Sequence, residues 1–165
     1  MPLVDKELPS RRPNRLPEHD CRANGAYFIT IVTKQRVEAL GRIENNAMNL
    51  SPIGQAAAEC IDKIETIYSS LLVAASVVMP THVHMLLCLL DDKQNPSIQR
   101  VIQQWKGAVS KQAGYSLWQD RFDDRLVLSA EAYRTIKSYI EMNPAKWAED
   151  RFNPMNGNPP LAESS

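Results

Sequence analysis

The chain has little cysteine, no net charge and no long apolar run, and each shortage removes a class of protein. Cys21, Cys60 and Cys88 form no CxxC pair and leave an odd count in 165 residues. That argues against a disulfide framework or a zinc ribbon and fits thiols that pack in a reducing cytoplasm. The longest apolar run, Leu71 to Met79, is far short of the roughly 20 residues that cross a bilayer. The first residues, Met1-Pro2-Leu3-Val4-Asp5-Lys6-Glu7, carry no signal-peptide pattern. The expectation is a cytoplasmic chain without a membrane partner, of a size for one core and one site. No internal repeat is visible.

Nineteen basic side chains are balanced by nineteen acidic ones, which taken alone disfavours a nucleic-acid partner. The distribution is less even. Residues 1–36 hold seven basic and four acidic groups, residues 37–94 three and seven, residues 95–139 seven and four. Two basic segments thus bracket an acidic middle. Either they meet over one site and give it a positive surface, or they are solvated scatter.

Residues 1–24 contain four prolines and four arginines without an apolar period, the composition of a flexible basic arm. Its Arg11, Arg12, Arg15 and Arg22 suit either a phosphate backbone or a solubilising tail. Residues 153–165 read as a disordered tail, so the folded domain spans 25–152. Gly25 to Thr33 is β-branched and aromatic, a central strand. Val37 to Leu50 reads as a small hairpin. Ser51-Pro52 opens a helix with an apolar stripe running to Ile67 or Tyr68. Leu71–Met79 and His82–Leu90 are two further strands broken at Pro80, and Asn95-Pro96 caps a second helix. A short strand follows in 117–128, and a third helix runs from Ser129 to the residue before Pro144. This order predicts an α+β fold, an antiparallel sheet with helices packed mainly on one face.

The stretch that carries chemistry is Met79-Pro80-Thr81-His82-Val83-His84-Met85-Leu86-Leu87. Alternation along a strand sends His82 and His84 to one face with Leu86 and Cys88, and Val83, Met85, Leu87 and Leu89 to the other. A strand apolar on both faces lies in the middle of a covered sheet, so the imidazoles are rigidly held. Tyr139 and Asn143 sit four apart on the third helix, on one face. If that face meets the histidines, two imidazoles and an amide oxygen form an open set for Mg2+ or Mn2+, beside a phenol. A structural zinc would need a closed tetrahedron, which this set lacks. Such a site suits attack of Tyr139 on a phosphodiester, leaving a phosphotyrosine and a free hydroxyl. With an ordinary pKa of about 10, the phenol needs the metal and nearby cations to favour its phenolate.

These residues resemble single-tyrosine HUH transposases. Met79-Pro80-Thr81-His82-Val83-His84 is similar to their MPNHVH motif, and Tyr139-Ile140-Glu141-Met142-Asn143-Pro144-Ala145-Lys146-Trp147-Ala148-Glu149-Asp150 to their YIxxNPxxWxxD ending. The Gly25–Thr33 strand and the Trp118-Gln119 pair resemble the REP-associated tyrosine transposase branch. The resemblance covers roughly residues 10 to 152. It implies a ferredoxin-like or RRM-like sheet, a homodimer, and single-stranded or hairpin DNA as substrate, with a divalent metal ion, Mg2+ or Mn2+, as cofactor. It implies His82, His84 and Asn143 as metal ligands and Tyr139 as nucleophile. Arg100, Lys106, Arg121 and Arg125 are the cations expected on DNA phosphates. Two departures stand out: Thr81 stands where Asn is usual, and Phe122-Asp123-Asp124 stands where the branch commonly has an aromatic pair followed by an acidic residue. The leading expectation is a metal-dependent DNA strand transferase, and the alternative is a non-catalytic binder of palindromic or hairpin DNA derived from one.

Overall fold

A computed structural model describes residues 25–90 and 95–145. The proposed arm at 1–24 and the tail at 153–165 lie outside the described residues. Strands β1 (Ala26–Val32), β4 (Leu71–Val78), β5 (His82–Leu89) and β6 (Asp123–Leu126) form one sheet in the order β4-β5-β1-β6, and each neighbouring pair is antiparallel. Between β1 and β4 come the hairpin β2 (Gly41–Glu44) and β3 (Ala47–Leu50), then helix α1 (Pro52–Asp62) and the short α2 (Ile64–Ile67). Helix α3 (Ile98–Ala113) connects β5 to β6, and α4 (Ala130–Met142) follows β6. Each long crossover skips one strand: β1 and β4 flank β5, and β5 and β6 flank β1. This is the ferredoxin-like arrangement, an α+β fold as expected.

The two faces of the sheet have different partners. Ile29, Ile31, Val83, Met85 and Leu87 pack with Ala57, Ile61, Val101, Ile102, Trp105 and Val109, so α1 and α3 cover one face. Leu72, Leu86 and Cys88 pack with Tyr133 and Ile140, so α4 covers the other, lying chiefly over β4 and β5. Two of the three long helices share a face, and α4 alone lies across the sheet from them.

Local signals explain most helix ends. Ser51 Oγ accepts from Gly54 N at 3.0 Å with Pro52 in the first turn, and Ser129 Oγ accepts from Ala132 N at 3.0 Å; both hydroxyls satisfy amides that the helix leaves without partners. Asn143 is extended (φ −67°, ψ 143°), the conformation forced on a residue before proline. Three expectations need correction. The cap of α3 is Ser97, whose Oγ accepts from Arg100 N at 3.0 Å, rather than Asn95-Pro96: the proline stands before the cap instead of inside the first turn. The apolar stripe that begins at Ser51-Pro52 belongs to two helices that meet at Lys63. Cys88 is disulfide-bonded while Cys60 is a free buried thiol, so the three cysteines are not all packing thiols.

Gly54 sits where α1 passes over the backbone of Leu40, and a Cβ there would strike the Leu40 carbonyl oxygen. Neither partner is a side chain that can swing away, so the helix itself must move. Gly54→Ala is expected to destabilise the domain by about 1–3 kcal/mol. Urea unfolding should show a lower midpoint with an unchanged slope.

Candidate active site

The central strand β5 is fully paired on both sides, by β4 and by β1. Its register sets His82 opposite Val32 and His84 opposite Thr30 on β1. Directly opposed residues of an antiparallel pair share a face, so Phe28, Thr30, His82 and His84 form one patch. The imidazole centroids are 4.6 Å apart, and both residues are essentially without solvent exposure. Each Nδ1 is held by a threonine hydroxyl: Thr30 Oγ1 lies 3.0 Å from His84 Nδ1, and Thr81 Oγ1 lies 3.1 Å from His82 Nδ1. With Nδ1–H donated to the hydroxyl, the tautomer carries its lone pair on Nε2, which is buried in both rings. Hydrogen bonds to the second nitrogen are how ligating histidines are oriented. Thr81 therefore fixes the ring beside it.

Helix α4 brings Tyr139 to this patch. Its ring centroid is 5.3 Å from that of His84, and Phe28 lies 5.2 Å from His84 and 6.3 Å from Tyr139 in an edge-on arrangement. Tyr139 is 40% exposed, so it meets both the buried imidazole and solvent. The C-cap Asn143 is buried, and its Nδ2 donates to the Tyr139 carbonyl at 3.1 Å. That bond fixes the last turn of the helix carrying the phenol. Among the described residues no three His, Cys, Asp or Glu side chains are grouped to hold a metal. Two oriented imidazoles fit a divalent cation, provided the remaining positions come from an amide, a phenol or substrate oxygens.

The four expected DNA cations separate. Arg125 on β6 stands opposite Phe28 and so belongs to the histidine face, where its Nε lies 3.2 Å from Asp123 Oδ2. Arg121 is exposed in the loop before β6. Arg100 is exposed in the first turn of α3, the helix that packs on the opposite face. Lys106 is placed differently from a phosphate-facing cation. It is 7% exposed, and its Nζ donates to the carbonyls of Gln119 at 2.9 Å and Asp120 at 3.2 Å. Burial pushes its ammonium below the usual lysine pKa, and the charge of Asp120 opposes that shift. Phe28 and Thr30 are site residues that the motifs alone do not reveal. Their signal is the alternation of Gly25–Thr33 combined with the β1–β5 register, which no local pattern supplies.

Lys106 ties α3 to the loop that leads into β6. Lys106→Met is expected to cost about 1–3 kcal/mol by leaving two carbonyls without a donor, while Arg100→Ala on the exposed side of the same helix should stay within about 0.5 kcal/mol. Urea unfolding of the two variants side by side checks the contrast.

No family model matches the chain. An uncharacterised protein of Haemophilus influenzae is 24% identical over 166 residues, spanning 86% of this chain and 92% of the relative. A solved structure from Deinococcus radiodurans aligns over 70% of this chain and 88% of its own at 21% identity with a TM-score of 0.48, too low to carry an argument. A REP-associated tyrosine transposase, solved bound to a REP hairpin, aligns over 78% of this chain and 71% of its own at 22% identity with a TM-score of 0.62. No helix among the described residues is long and apolar enough to cross a membrane. The chain has the fold of that tyrosine transposase, with a phenol and two imidazoles gathered on one face of its sheet.

Proposed function

We propose that the protein is a metal-dependent DNA strand transferase that cleaves and rejoins single-stranded or hairpin DNA through Tyr139. The observation that carries the reading is the packing of the half-exposed Tyr139 ring 5.3 Å from His84, which is itself 4.6 Å from His82. The REP hairpin bound by the protein of like fold supports a hairpin substrate.

In this reading His82 and His84 hold a divalent cation, Mg2+ or Mn2+, through Nε2, with the Asn143 amide oxygen as a third ligand. When bound, the cation withdraws charge from the scissile phosphate and lowers the cost of negative charge on its oxygens. Thr30 and Thr81 keep both rings in the ligating orientation. Tyr139 Oη attacks phosphorus, the Oη–P bond forms, and the P–O bond to the adjoining nucleotide breaks. The phenolic proton passes to solvent, and the departing oxygen takes up a proton to become a free hydroxyl. Attack of a DNA hydroxyl on the phosphotyrosine reverses the sequence and rejoins the strand. Arg125, on the same face, supplies charge for the phosphate backbone.

A second reading, a non-catalytic binder of hairpin DNA, is favoured by the absence of net charge, which suits modest binding better than strand capture. Incubating labelled hairpin DNA with the protein and Mg2+ or Mn2+, then running a denaturing gel, separates the two. Metal-dependent label on the protein, lost in Tyr139→Phe with DNA binding retained, is the expected outcome. Binding without any adduct would favour the second reading, and nicking that persists in Tyr139→Phe would remove Tyr139 as nucleophile.

A further inference from the structure

Tyr139 lies in the last turn of α4, which ends at Met142. A terminal turn is the part of a helix that frays, and the phenol swings about two side-chain torsions, the second of them broad. The bond from Asn143 Nδ2 to the Tyr139 carbonyl holds the backbone of that turn. It does not hold the ring. The direction of Oη therefore depends on what the ring itself packs against.

Two rings that it meets come from strands, not from the helix. His84 is on β5, and Phe28 on β1 stands opposite Leu86 on β5 and Arg125 on β6. Phe28 is thus the diagonal neighbour of His84 on one face, within the reach of an aromatic side chain. Its centroid is 5.2 Å from that of His84 with the planes tilted by 31°, and 6.3 Å from that of Tyr139 with the planes at 87°; His84 and Tyr139 are 5.3 Å apart at 63°. Both walls of this corner are held from elsewhere. The Thr30 hydroxyl holds His84, and Phe28 packs against the cluster of Leu72, Leu86, Tyr133 and Ile140. Crossed rings attract because the positive edge of one meets the negative face of another, and an aliphatic side chain loses that preference. Phe28 has no polar atom with which to ligate a metal or move a proton, so what it gives the site is direction.

We propose that Phe28 is a positioning residue for strand transfer: it fixes the Tyr139 ring against His84, so that Oη is presented to phosphorus in one orientation. The proposal deepens the DNA reading given above and rests on it. Attack needs the reacting atoms aligned before the barrier is climbed. The rate of attack then depends on a ring at position 28, while affinity for DNA does not.

The test pairs kinetics with a direct view of the phenol. Phe28→Leu keeps an apolar side chain on β1 and removes the ring; Phe28→Tyr keeps the ring. At saturating labelled hairpin DNA with Mn2+, single-turnover capture of label by the full-length chain should slow about tenfold in Phe28→Leu, the size of one lost edge-on contact. Phe28→Tyr should restore the rate, and hairpin affinity in metal-free buffer should be the same in all three. In fluorine NMR of chains carrying fluorotyrosine, the Tyr139 signal, assigned by its loss in Tyr139→Phe, should move toward that of an exposed tyrosine in Phe28→Leu, while Tyr68 and Tyr115 stay in place. If Phe28→Leu does not fold, Phe28→Met, whose unbranched side chain fills irregular gaps, replaces it in both measurements. An unchanged capture rate, a slowing shared by Phe28→Tyr, a matching loss of affinity or an unmoved Tyr139 signal overturns the role of Phe28, while capture by the unaltered chain keeps the DNA reading. No capture of any hairpin by the unaltered chain overturns that reading and the role with it.

Discussion

Everything at the candidate site depends on the two-residue period of β5. Val83, Met85 and Leu87 enter the core under α1 and α3, and that fixes His82 and His84 on the other face. A slip of one residue would drive both imidazoles into that core and turn three large apolar side chains out of it. Two imidazoles in that apolar core would leave ring nitrogens without partners at about 1–3 kcal/mol for each unsatisfied group, a large share of the roughly 5–15 kcal/mol that holds an ordinary domain together. The core therefore locks the orientation of the imidazoles, and the hydroxyls of Thr30 and Thr81 need only set their rotation. The pairing with β1 on one side and β4 on the other removes the freedom that a strand edge would leave.

This dependence explains what could be read from the chain and what could not. The period of β5, the caps Ser51 and Ser129 and the stop at Pro144 are local patterns that survive into the fold, while Asn143, expected on the helix with Tyr139, is its extended C-cap. The partners of the histidines are not local. Thr30 is 54 positions from His84, and only the β1–β5 register says that it, rather than Ile29, meets the imidazole. Lys106 fails for a related reason. Helical spacing sets it apart from the apolar stripe, but its long stem reaches the carbonyls of a loop more than ten residues on. A periodic pattern assigns a Cβ direction, and a lysine head lies far beyond its Cβ. The same limit applies to the cation set: Arg100 and Arg125 fall in one basic segment of the sequence, yet Arg125 belongs to the histidine face of the sheet and Arg100 to α3, which covers the other face.

The sheet thereby separates two tasks. One face buries the apolar mass of the domain. The other gathers the groups suited to chemistry, with α4 over β4 and β5 and Phe28, Asp123 and Arg125 on the β1–β6 side. Asp123 stands opposite Thr30, two strand spacings from His84 with β1 between them, so the departure at Phe122-Asp123-Asp124 puts a carboxylate at the border of the site. Its pairing with Arg125 offsets charge that would otherwise oppose a phosphate there.

The absence of net charge bears on how a nucleic acid would be chosen. A strongly basic protein gathers any polyanion by its field, and its affinity is dominated by phosphates that carry no sequence information. A chain with nineteen charges of each sign has no such field to rely on. Arg125 on the histidine face lies 3.2 Å from Asp123, which reduces what its charge alone can add to binding there. On the proposed DNA reading, discrimination would come from short-range contacts and from the shape of a hairpin. The weak field on that reading favours specificity: a strand that does not fit the site would gain little from charge alone.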